Sequence, residues 1–142
     1  MFIDAETSLC STPQAITATK VFERAYDTGG EEMDTGEQLG VGIVIAGPAA
    51  VMGTYTLEVI QSASDALSDP TVVAFHTIPA ADLKEGSLHV VGVPATSVTA
   101  RYLGLRITLG GTSPSLNIKV AWIAPLSFFT RWKVHTTCVT VY

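Results

Sequence analysis

"RYLGLRITL", residues 101–109, alternates without a break. Leu103, Leu105, Ile107 and Leu109 fall on one face, and Tyr102, Gly104, Arg106 and Thr108 on the other. A period of two belongs to a strand with one buried face, because successive side chains of an extended backbone point to opposite sides. The same alternation runs through Leu39, Val41, Ile43 and Ile45, through Tyr55, Leu57 and Val59, and through Leu116, Ile118, Val120 and Trp122. Further strands are predicted in "QAITATKVF" (14–22), "TVVAFHTI" (71–78) and "LHVVGV" (88–93), rich in the Val, Ile and Thr that suit a pleated surface. Turn-forming clusters separate them: "DTGG", "AGPAA", "SDP", "KEG", "VPAT" and "GGTSPS". Short strands punctuated at this spacing predict an antiparallel sandwich or barrel. Its core is expected from the inward faces, with Leu57, Leu105, Ile107 and Val120 foremost. "SASDALSDP" and "IPAADLKEG" each have room for one helical turn.

The 142 residues are predicted to form one domain, 1–142, in which folding hides about 70% of the surface of the unfolded chain. Hydrophobic residues make up 47% and charged residues 15%, a composition that argues against disorder. No apolar run reaches the ~20 residues of a membrane helix, and "MFIDAETSLC" has no basic segment of the kind that opens a signal peptide. Neither a membrane partner nor a secretory route is therefore expected. Cys10 and Cys138 lack metal or redox spacing and read as reduced, packing thiols of a chain made in cytoplasm.

Charge is lopsided. Thirteen acids against three cations leave −10 in residues 1–100, while Arg101, Arg106, Lys119, Arg131 and Lys133 leave +5 in residues 101–142. Such asymmetry fits contact with a complementary protein surface. It fits equally a fold that interleaves the two halves and averages the charge away. Nucleic acid is not expected as a partner, since five cations over this length form no dense phosphate-neutralising cluster.

The triplet Asp-Thr-Gly occurs twice, at 27–29 and 34–36, and in aspartic proteases it carries the paired catalytic carboxylates. Those enzymes need each aspartate on its own apolar strand and turn, and no strand fits between triplets joined by "GEEM". Asp-Thr-Gly is also a good turn, because Asp caps backbone amides and Gly accepts positive φ. Asp27, Glu31, Glu32, Asp34 and Glu37 crowd one loop, but their spacing is not that of the twelve-residue calcium loop. His76, His89 and His135 stand on separate segments, and the serines lack a Gly-x-Ser-x-Gly elbow. No catalytic residue, metal site or cofactor is predicted.

Four stretches taken together carry a family likeness. They are "MFIDAETSL" with "QAITATKVF", "DTGGEEMDTGEQLGVGIVI" with its paired turns and apolar strand, "GTYTLEVIQSASDAL", and "VGVPATSVTARYLGLRITLGG" closing at "IKVAWIA". In this order and spacing the chain resembles the capsid cement (decoration) proteins of short-tailed phages, of the type found in Bordetella phage. The likeness covers residues 1–124. It implies an antiparallel jelly-roll-like β-sandwich of about eight strands. It also implies a non-enzymatic protein that docks on the outside of an icosahedral head and bridges neighbouring major capsid proteins. A homodimer is expected, with a trimer as the alternative.

The stretch from Leu126, "LSFFTRWKVHTTCVTVY", lies beyond the likeness. Its Phe128, Phe129, Arg131, Trp132 and Lys133 are predicted capsid or partner contacts, because arginine and aromatic side chains dominate interface energies. On that reading residues 126–142 are an extended C-terminal arm. On the other reading they are the last strand of the sandwich. Two rival functions remain at this stage. One is a carbohydrate- or receptor-binding module of a virion, using Trp122 or Trp132 as a sugar platform. The other is a dimeric hydrolase built on Asp27 or Asp34.

Overall fold

Each alternating segment becomes a strand that ends at the turn residues flanking it. A computed structural model of the chain describes residues 8–10, 13–22, 24–28, 38–94, 97–126, 129 and 139–142. Its strands are β1 (Ser8–Cys10), β2 (Gln14–Ile16), β3 (Lys20–Val21), β4 (Tyr26–Asp27), β5 (Leu39–Gly47) and β6 (Gly53–Ser62). They continue with β7 (Thr71–Ile78), β8 (Leu88–Val93), β9 (Tyr102–Gly111), β10 (Leu116–Pro125) and β11 (Val139–Val141). The predicted turn in "IPAADLKEG" is a 3₁₀ turn at Ala80–Asp82. In "SASDALSDP" no helix forms. A tight turn closes instead from Leu67 N–H to Ser64 O, and Leu67 takes φ +56°.

β1 and β2 both pair with β10, and β3 and β4 both pair with β9, so each pair acts as one interrupted strand. That leaves eight strand positions before β11. One sheet runs β1-β10-β5-β8-β11 and the other β3-β9-β6-β7. Counted by position, these orders are first–eighth–third–sixth and second–seventh–fourth–fifth, the arrangement of a jelly roll. The expectation of an antiparallel jelly-roll-like sandwich therefore holds, with one addition. β11 lies parallel to β8, pairing Val139 with Leu88 and Val141 with Val90.

The core fills the space between the sheets. Val41, Ile43 and Ile45 of β5, Tyr55, Leu57 and Val59 of β6, and Leu103, Leu105 and Ile107 of β9 meet there, all 2% exposed or less. Val120 departs from the expected pattern. The register of β10 against β5 shifts between Ile118 and Val120. A bulge adds a residue to one strand and so exchanges the faces beyond it. Leu116 and Ile118 point inward before the shift, and Ala121 and Ile123 after it. Val120 and Trp122 are thereby turned to the outer face of the sheet, where Trp122 joins Leu88, Val90 and Phe129 in a second buried cluster.

Candidate interaction surfaces

The C-terminal stretch starts by crossing back over the outer face of the first sheet. Leu126 N–H donates to Gln38 O at 2.7 Å, and Phe129 lies fully buried with its ring centroid 5.4 Å from that of Trp122. The room for that ring comes from β5, since a Cβ added at Gly42 would stand 2.7 Å from Phe129 Cε1. Phe129 was expected on a partner-facing arm and belongs instead to the chain's own second cluster. Its burial covers an apolar patch that the bulge in β10 had turned outward. Trp122 is likewise 2% exposed, so it offers no platform to a sugar ring. Its indole Nε1–H is buried without a hydrogen-bond partner among the described residues. Phe128, Arg131, Trp132 and Lys133 lie outside the described residues, as do Asp34, Cys138 and His135.

The chain end returns to the same sheet. Beyond β11, Tyr142 N–H donates to Val90 O at 2.8 Å. The Tyr142 ring stacks on His76 at 4.0 Å between centroids, and its hydroxyl lies 2.9 Å from His89 Nδ1. The other nitrogen of His89 is 2.9 Å from Ser87 Oγ, so both ring nitrogens have partners. Burial holds the His89 pKa below the ordinary 6.5, with Asp82 acting in the opposite direction. Burial, and then Asp82, pushes the Tyr142 phenol up. His76 and His89, isolated in the sequence, are thus brought together around the last residue as a packing site.

Two cations of the acid-free segment are matched with acids of the first hundred residues. Arg101 forms a two-pronged ion pair with Asp27, both N···O distances being 2.9 Å. Thr28 adds two hydrogen bonds to Arg101 O, from N–H at 2.8 Å and from its hydroxyl at 2.7 Å. Hydrogen bonding to Asp27, and then the charge of that carboxylate, raise the Arg101 pKa further. Asp27 and Thr28 of the first triplet are therefore pinned to the base of β9. On the outer face of the second sheet, Arg106 grips Glu58 with two bonds of 3.1 Å, and Thr108 donates to the same carboxylate. Burial pushes the Glu58 pKa up, but the bonds from Arg106 and Thr108 outweigh it and the net shift is downward. Strand register sets exposed Phe75 of β7 opposite Glu58 and exposed Val21 of β3 opposite Arg106.

The ends of the sandwich differ in character. At one end, Asp27 and Arg101 form their ion pair. At the other end, the β5–β6 turn and the β9–β10 loop (48–53 and 110–115) contain no charged residue, while the β7–β8 loop beside them holds Asp82, Lys84 and Glu85. The β5–β6 turn exposes Val51 at 85% and Met52 at 70%.

This jelly roll carries a match to a family model described as Bbp16, over residues 10–120. The chain belongs to the Bbp16 family. The match spans both sheets from β1 into β10 and leaves out β11. Bbp16 is a phage protein family, so the resemblance noted in the sequence holds at that level. Among solved structures the chain is similar to "Structure of infectious bursal disease virus Gx strain" at 11% identity, with a TM-score of 0.31. That likeness covers 80% of this chain and 32% of the other, so the chain spans about a third of its length. No curated protein matches the chain.

Sequence reading missed the exposed turn and the His76–Tyr142–His89 stack. A signal for the first was present: Val51 and Met52 occupy a turn, where polar residues are usual. The second joins residues far apart in the chain and has no local signature.

Proposed function

We propose that this Bbp16-family protein is a virion structural protein that cements the phage head. It binds the outside of the icosahedral shell and bridges neighbouring copies of the major capsid protein, acting as a homodimer and without catalytic turnover. The match to the Bbp16 family over residues 10–120 carries this reading. The architecture is compatible with it. A clamp needs a rigid scaffold and surface to bury, and its binding to assembled neighbours stabilises them by mass action. A sandwich with a second cluster sealed by its own C-terminal stretch is such a scaffold.

Co-sedimentation with purified, expanded capsids lacking the protein tests the proposal. Saturable binding, together with capsids that survive higher temperature once occupied, is the expected result. A chain that stays in the supernatant at concentrations well above that of the capsid sites would overturn it.

A further inference from the structure

The β5–β6 turn is apolar for no reason internal to the fold. Gly53 N–H donates to Ala50 O at 3.1 Å, which makes Val51 and Met52 the two central residues of a β-turn. Such positions favour Pro, Asp, Asn or Gly, and neither exposed side chain contributes to the core. Where local chemistry contradicts the usual preference without a packing reason, function is the first explanation to test.

The turn is also held rigidly. Tyr55, 2% exposed, sends its hydroxyl beneath it to within 2.8 Å of Ala50 O and 3.1 Å of Ser115 O, and it accepts from Ser115 N–H at 3.2 Å. Ala50 N–H donates to Ser115 O at 3.0 Å, and Ala49 N–H to Leu83 O at 3.3 Å. Met52 O accepts from Thr112 N–H at 3.1 Å. Beside it Gly111 takes φ +78°, where a Cβ would stand 2.4 Å from that oxygen. Two loops and Tyr55 thus brace one turn. Holding a contact group in its bound conformation removes much of the ordering cost of association.

The surroundings narrow the choice of occupant. Residues 48–53 and 110–115 carry no charge, while the neighbouring β7–β8 loop holds Asp82, Lys84 and Glu85, so the turn is an apolar point beside a charged rim, the usual make-up of a protein contact. Two side chains fall far short of the ~800 Å² that each partner contributes to a stable dimer interface. The turn therefore suits an anchor point within a larger contact better than a self-association face. We infer that Val51 and Met52 form a preorganised apolar knob that seats in an apolar pocket of the major capsid protein. This inference rests on the capsid-binding reading above and names the surface by which that binding is made.

The test compares the full chain with the double variants Val51→Asp/Met52→Asp and Val51→Ser/Met52→Ser, and with Met52→Leu. Each is melted, sized by sedimentation velocity and titrated onto capsids lacking the protein. The expected result is unchanged melting and self-association in all of them. Capsid affinity should fall at least tenfold in both double variants and stay near that of the wild type in Met52→Leu. Double variants that bind capsids as tightly as the wild type would overturn the inference while leaving the capsid-binding reading intact. So would a loss confined to self-association. Failure of the wild-type chain to bind capsids would overturn both.

Discussion

Leu105 and Val120 look equivalent in the sequence, each being an aliphatic residue in a clean alternation. The structure separates them. Leu105 is fully buried between the sheets, whereas Val120 is half-buried on the far side of the bulge in β10. Leu105→Ala is expected to cost about 2–5 kcal/mol, as deletion of buried methyl groups in a close-packed core does. Ile107→Ala belongs in the same range. Val120→Ala removes fewer atoms from a site that is already partly wet, and it should cost clearly less. Urea melts of the three variants rank them, and a Val120→Ala loss equal to that of Leu105→Ala would show that the bulge does not turn the face. The same scale explains the spacing of Gly40 and Gly42. Both lie on the outer face of β5, and their missing side chains make the floor on which Phe129 rests.

At the scale of elements, the C-terminal stretch holds on to its own sheet at both ends. Phe129 seals the cluster around Trp122, β11 extends the sheet beyond β8, and Tyr142 stacks on His76. Deleting residues 126–142 should therefore lower the melting temperature markedly and expose the outer cluster, because loss of a buried Phe alone costs about 3–5 kcal/mol. Circular dichroism melts and binding of a hydrophobic dye read this out. A truncated chain as stable as the full one would restore the reading of the stretch as a detachable arm.

The strand's anchor also has a pH dependence. His89 is held neutral by burial, with its pKa below 6.5, while in the unfolded chain it titrates near that value. Between the two values the unfolded state binds more protons, so stability is present at neutral pH and falls as pH drops through about 6.5. His89→Asn should flatten the melting temperature over pH 7.5 to 5, whereas the wild type declines. Glu58 acts in a lower window. Its pKa lies below 4.5, so its contribution is lost only as pH falls through that lowered value.

For the molecule as a whole, pairing across the halves is the clearest lesson about charge. Asp27 with Arg101 and Glu58 with Arg106 join the acidic first hundred residues to the basic remainder. The jelly roll lays β4 and β6 on either side of β9, so part of the asymmetry seen along the chain is neutralised within the fold. What the two ends of the sandwich then offer a partner differs in kind. One end carries the Asp27–Arg101 pair, and the other presents an exposed, braced apolar turn.

The sequence by itself determined the all-β class, the alternating inner faces of β5, β6 and β9, and the turns between them. These depend on side-chain period and turn chemistry within a few residues, and local pattern encodes both. It also carried enough of the motif order around "RYLGLRITL" to indicate the phage family. Only the tertiary structure decided which face of β10 is buried beyond Ile118, because a bulge is settled by the register of the neighbouring strand. It likewise decided that Phe129 and Tyr142 pack at home rather than on a partner. Their partners, Trp122 and Gly42 in one case and His76 and His89 in the other, are distant in the chain. Contacts of that range are set by how the sheets stack, which no window of sequence contains.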